Sequence, residues 1–182
     1  MKKYFVLALM AMFTTVASAQ LMTSRMSSLK GERSTTCWFD FGAGLPAADA
    51  SKGDGLGAGF DLGFRVTHMY TENLGWDIFR VKGQIYTKEV GPGDTSLSVS
   101  GQTGFRYVSP VLFSDKTLYG NAMFGAGYMA GPGEFLINWE IGAGINITKH
   151  FAAGLFYTCE HYKDHHENVA LGLFGIRASV GF

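Results

Sequence analysis

Residues 56–66 read Leu-Gly-Ala-Gly-Phe-Asp-Leu-Gly-Phe-Arg-Val. One face is apolar throughout: Leu56, Ala58, Phe60, Leu62, Phe64 and Val66. The other carries Gly57, Gly59, Asp61, Gly63 and Arg65. Successive side chains of a strand point to opposite sides, so this period of two predicts a strand with one apolar face and one small or charged face. Few soluble strands put so much glycine opposite so much Phe and Leu.

The same pattern recurs along the chain. Residues 36–45 set Phe39, Phe41, Ala43 and Leu45 against Trp38, Asp40, Gly42 and Gly44. Residues 77–87 set Phe79, Val81, Ile85 and Thr87 against Arg80, Lys82, Gln84 and Tyr86. Further strands are predicted over about 97–107, 118–128, 135–147 and 150–160. In the third of these, Leu136 is the one apolar residue on the polar side. The last strand runs to the C-terminus, with Phe174, Ile176, Ala178, Val180 and Phe182 opposite Arg177, Ser179 and Gly181. Upstream of Phe174 its apolar residues Val169, Leu171 and Leu173 change face, which a bulge or an apolar lid over an interior would explain. Four polar segments, 46–55, 88–96, 131–134 and 160–167, alternate with the turns 67–76, 108–117 and 148–149. The reading is all-β: an eight-stranded antiparallel up-and-down barrel.

Composition agrees. Of 182 residues, 16% are charged, against about 25% in ordinary soluble domains. Aromatic residues make up 14%, and 25 residues are Gly. The chain is too apolar to be disordered. Fifteen basic and fifteen acidic residues give no bulk charge that would attract nucleic acid.

The N-terminus has the form of an export signal. Lys2 and Lys3 precede an apolar run from Tyr4 to Phe13, and Ala17-Ser18-Ala19 offers a small-x-small cleavage site. Residues 1–19 are therefore expected to be a signal peptide, residues 20–35 a polar periplasmic arm and residues 36–182 the barrel domain. Cleavage leaves 13 basic and 15 acidic residues, a formal charge of −2.

The choice between a soluble and a membrane barrel rests on which face suits which solvent. The Gly, Ser and Asn face is too small to solvate an exterior, and it suits a narrow lumen. The Phe, Leu, Ile and Val face suits lipid. A closed barrel also pairs every backbone group, as hydrocarbon requires. Outer-membrane lipid is thus the expected surrounding. A soluble periplasmic barrel is the alternative.

Signal peptide, eight alternating strands and a terminal aromatic together resemble small outer-membrane β-barrels of the OmpA/OmpX type, within the porin-like superfamily. The ending with Ile176, Ala178, Val180 and Phe182 is similar to the C-terminal signal read by barrel-assembly machinery in Gram-negative bacteria. The resemblance covers residues 36–182 and implies fold and location more than activity.

The candidate site is the inward face. Asp40, Asp61, Arg65, Arg80, Lys82, Arg106, Glu140 and Arg177 are expected to line the lumen. Eight strands leave an interior just wide enough for side chains to fill, so salt bridges are expected to plug it. A small passive channel for solutes is the alternative. No His-x-Ser of the lipid-deacylase kind is present, and Glu160, His161 and Ser114 are expected at different levels. No enzyme activity, cofactor or metal is assigned. The segment Glu160-His161-Tyr162-Lys163-Asp164-His165-His166-Glu167 reads as a solvated loop that gains positive charge near pH 6; its imidazoles lack fixed spacing on a rigid element. Exposed loops would meet any extracellular ligand. Cys37 and Cys159 fall at opposite ends of the predicted barrel, beyond the roughly 7 Å a disulfide spans, so two free thiols are expected. Trp38, Trp76 and Trp139 read as interfacial anchors.

Overall fold

The computed structural model describes residues 34–47, 56–88, 96–110, 116–130, 133–164 and 167–182. The expected signal peptide, most of the expected arm and most of the polar segments, including Ser114, His165 and His166, lie outside the described residues.

Eight antiparallel strands close into a barrel in sequence order. They are β1 (Ser34–Pro46), β2 (Leu56–Met69), β3 (Leu74–Lys88), β4 (Ser96–Val108), β5 (Thr117–Met129), β6 (Glu134–Thr148), β7 (Phe151–Asp164) and β8 (Glu167–Gly181). β1 pairs with β8, closing the ring. At the closure, Phe182 N–H donates to the Cys37 carbonyl at 3.0 Å and Cys37 N–H returns a bond to Phe182 at 3.3 Å.

Burial is inverted relative to a soluble protein. Ile176 is 65% exposed, and Phe41, Phe60, Phe124, Ile141 and Leu155 are exposed with it. Ten charged side chains are buried. The two-residue period set this outcome along most of the wall, with one slip in β3 between Asp77 and Arg80.

Glycine serves close packing within the wall. A Cβ on Gly175 would lie 2.6 Å from the Gly44 Cα and strike the Ala43 carbonyl, so β1 and β8 approach only because both positions lack one. A Cβ on Gly63 would lie 2.8 Å from Arg80 Nε. There the missing side chain makes room for a guanidinium.

Two details differ from the sequence reading, and in β8 one of its two alternatives, the apolar lid, holds. The segment 160–167 is mostly strand, because β7 continues to Asp164 and β8 begins at Glu167. Its alternation had been masked by charged residues on both faces. The change of face in β8 is no bulge, since its register with β7 runs unbroken from Phe151↔Val180 to Asp164↔Glu167. Leu171 and Leu173 simply point inward and are buried. Trp38 also points inward and is buried, so it is not an interfacial anchor. Trp139 does face outward.

Candidate functional site in the barrel lumen

The inward residues form stacked layers. At the end reached by the tops of β3, β5, β6, β7 and β8, Tyr86, Met129, Leu136, Phe156, Leu171 and Leu173 make a buried apolar cap, with Tyr162 and Val169 against it. At the opposite end Trp38, Tyr119 and Ala152 make an apolar floor. The charges lie between.

All eight lumen residues named from the sequence are buried there. Two more join them, Asp77 and Glu160, so the lumen holds five carboxylates and five cations among the described residues. The set of eight alone carries two surplus positive charges. The two added acids cancel them.

Neutrality also holds layer by layer. Under the cap, Lys82 faces Glu160 at 3.8 Å, and its ammonium donates to Thr158 at 2.9 Å. Glu160 further accepts from Ser98 at 2.9 Å and Tyr86 at 3.2 Å. Lys82 lies 3.7 Å from Glu140, linking this layer to the next.

The middle layer holds Arg80, Arg177, Asp61 and Glu140. Arg80 donates through Nη2 to Asp61 at 2.8 Å and through Nη1 to Glu140 at 2.9 Å, and to Gln102 at 3.2 Å. Arg177 reaches the same two carboxylates, bonding Asp61 at 2.5 Å and Glu140 through both guanidinium nitrogens. Its other side rests on the Phe156 ring, 4.1 Å from the centroid. Bidentate guanidinium–carboxylate geometry of this kind is strong and directional.

The innermost layer holds Arg65, Arg106, Asp40 and Asp77. Arg65 bonds Asp40 at 3.2 Å and Asp77 at 3.4 Å. Asp40 also accepts from Ser179 at 2.6 Å and pairs with Arg80 Nε at 3.0 Å. Asp77 accepts from Thr67 at 2.5 Å. Arg106 makes no ion pair among the described residues. Its guanidinium lies 4.3 Å from the Tyr119 ring centroid and 5.8 Å from that of Trp38. Arg65 covers the same indole at 5.7 Å. Aromatic faces thus hold these cations where carboxylates do not surround them.

Asp77 escaped the sequence reading because β3 slips register between Asp77 and Arg80. Ile78 and Phe79 both point outward, so Asp77 and Arg80 both point inward despite odd spacing. The Thr103 hydroxyl supports the irregularity by donating towards the Asp77 and Ile78 carbonyls at 3.0 and 2.9 Å. Glu160 escaped because its segment read as a loop. Glu160 is buried in the lumen while His161 is exposed on the other face of β7, so the two do not assemble into a catalytic pair. Among the described residues no three His, Cys, Asp or Glu side chains gather as a metal-ligating group. Cys37 and Cys159 are both free thiols.

No protein-family model and no curated protein matches the chain. Solved structures do resemble it. The crystal structure of Neisserial surface protein A aligns with 83% of this chain and 99% of its own at 14% identity, with a TM-score of 0.52. The outer membrane protein Ail of Yersinia pestis aligns with 83% of this chain and 100% of its own at 17% identity and a TM-score of 0.45. The outer membrane protein OprG of Pseudomonas aeruginosa aligns with 84% and 98% at 11% identity and a TM-score of 0.48. At these identities the likeness, carried by the first, is one of fold: this chain is a closed, eight-stranded antiparallel β-barrel structurally similar to a small bacterial surface barrel.

Proposed function

We propose that this chain is an integral outer-membrane barrel of the OmpA/OmpX type with a structural or surface-interaction role, whose lumen is plugged and conducts no solute. The observation that carries it is the inverted burial: ten ionic side chains inside, and a continuous Phe, Leu, Ile and Val surface outside. Water would not tolerate that exterior, and lipid requires it. From Leu118 to Tyr128 the outward face of β5 spans about 25 Å along the barrel axis at the usual tilt, the height of an outer-membrane apolar band.

The plug follows from the layers. Apolar side chains lie at both ends, and each ionic layer between them is neutral, with every cation but Arg106 ion-paired among the described residues. A permeating ion would have to break the Arg80 and Arg177 bonds to Asp61 and Glu140 and then cross an apolar cap. The export signal in residues 1–19, recognition of the ending by barrel-assembly machinery and any ligand met through the outer loops belong to the same reading. Membrane fractionation with heat-dependent gel mobility tests it: the expected result is detergent-dependent recovery and a compact band that shifts on boiling. Recovery in the soluble periplasmic fraction would end the membrane reading.

A further inference from the structure

We propose that the lumen beside β3, β4, β5 and β6 encloses a small hydrated chamber, a binding site for a cluster of ordered water molecules next to Lys82. On the opposite wall the charged side chains are anchored by direct ion pairs, such as Arg65 with Asp40 and Arg177 with Asp61. The β3–β6 wall is different. Five buried side-chain atoms there, Gln84 Oε1, Ser100 Oγ, Gln102 Nε2 and both amide atoms of Asn138, have no hydrogen-bond partner among the described residues.

Register gathers these groups. Lys82 lies opposite Ser100, and Gln84 opposite Ser98. Gln102 lies opposite Gly125, Gly125 opposite Asn138, and Asn138 opposite Glu160. Two strand spacings, about 10 Å, therefore separate Gln102 from Asn138, and the residue between them has no side chain. The next inward position of β5 is Gly127, so between the buried Met123 and Met129 this strand puts no side chain into the bore.

The bonds these residues do make fix which atoms are left over. Gln102 Oε1 accepts from Arg80 at 3.2 Å, which leaves the amide nitrogen without a partner. Tyr86 donates to Glu160 at 3.2 Å and accepts from Gln84 Nε2 at 2.7 Å, which leaves the Gln84 carbonyl. The Lys82 ammonium donates to Thr158 at 2.9 Å, while Glu140 and Glu160 stand at 3.7 and 3.8 Å. An ammonium has three donors, and a polar gap longer than a hydrogen bond is where a bridging water fits. Donors and acceptors thus stand together, and water uses both where a single ion uses one kind. A buried water makes about three hydrogen bonds, so about two or three waters satisfy these groups. Tyr86, Met129 and Leu136 lie over the chamber and the Arg80–Glu140 pair lies under it, so its water is held rather than in transit. Part of the plug is then solvent, a feature the ion pairs alone do not supply.

The test is nuclear magnetic resonance of the isotope-labelled mature barrel folded in detergent micelles. The side-chain amide protons of Asn138 and Gln102 are expected to show water cross-peaks of opposite sign in laboratory-frame and rotating-frame Overhauser spectra, the mark of water that tumbles with the protein. Asn138→Leu should remove the water cross-peak at Gln102, or reduce it at least about twofold, because the two amides share the cluster. Heat-dependent gel mobility confirms that the variant has folded, and the spectra of the native chain decide the matter if it has not. Absence of water cross-peaks at both amides overturns the proposal. So do cross-peaks of one sign in both spectra, which mark exchange with bulk solvent or fleeting surface water. A Gln102 cross-peak unchanged by Asn138→Leu also overturns it, since the water would then not be shared between them.

Discussion

Arg80 and Arg106 are both buried arginines of one lumen, yet their surroundings differ. Arg80 touches Asp40, Asp61 and Glu140. Arg80→Met would strand carboxylates in a site that water enters poorly, and the expected loss is about 3–5 kcal/mol of unfolding free energy. Arg106 makes no ion pair among the described residues and rests against aromatic faces. Arg106→Met should cost about 1–2 kcal/mol, the scale of a desolvated cation–π contact. Urea unfolding in lipid bilayers would measure both, and a larger loss at Arg106 would contradict the layer assignment. Glycine offers a second contrast. A Cβ on Gly101 would meet nothing within 4 Å, so Gly101→Ala should change stability by no more than about 0.5 kcal/mol. Most of these residue roles were readable from alternation alone. Asp77 and Glu160 were not, because one follows a register slip and the other a stretch whose charges hide its period.

Among the elements, the β1–β8 seam is where closure is most exposed to damage. Its paired register, Trp38↔Gly181 to Pro46↔Leu173, is the shortest of the eight. Its outer surface is bridged by Phe39 against Phe182 at 5.5 Å, and Phe39 in turn meets Phe64 at 5.4 Å. Gly175→Val would drive a branched side chain into the β1 backbone at this seam. The expected outcome is loss of the compact, heat-shifted gel band, while Gly101→Ala retains it. The C-terminal aromatic therefore has a packing role in the folded barrel, whatever reads it during assembly. Strand count and order were legible in the sequence because each strand keeps a two-residue period over most of its length. The strand ends were not: β7 and β8 extend past the predicted loop because backbone pairing continues irrespective of side-chain polarity.

For the whole molecule, two kinds of barrier act in series. Leu171→Ser with Leu173→Ser would make the outer cap polar and leave the ionic layers intact. Planar-bilayer recordings should then show no steady openings from either the native chain or this variant, because the Arg80, Arg177, Asp61 and Glu140 layer still fills the bore. Reproducible conductance from the native chain would favour the passive-channel reading. Conductance confined to the cap variant would make the cap the sole barrier. The sequence by itself determined the fold class, the number of strands and, for most residues, which face turns inward and which outward, since these depend on local periodicity and composition. Only the tertiary structure decided that the lumen is electrically neutral among the described residues and carries an apolar cluster at each end. Neutrality is a property of residues far apart in sequence, such as Arg80 with Glu140 and Arg177 with Asp61, that closure brings to one level. No one-dimensional pattern fixes the register, bulge and shear that set those levels.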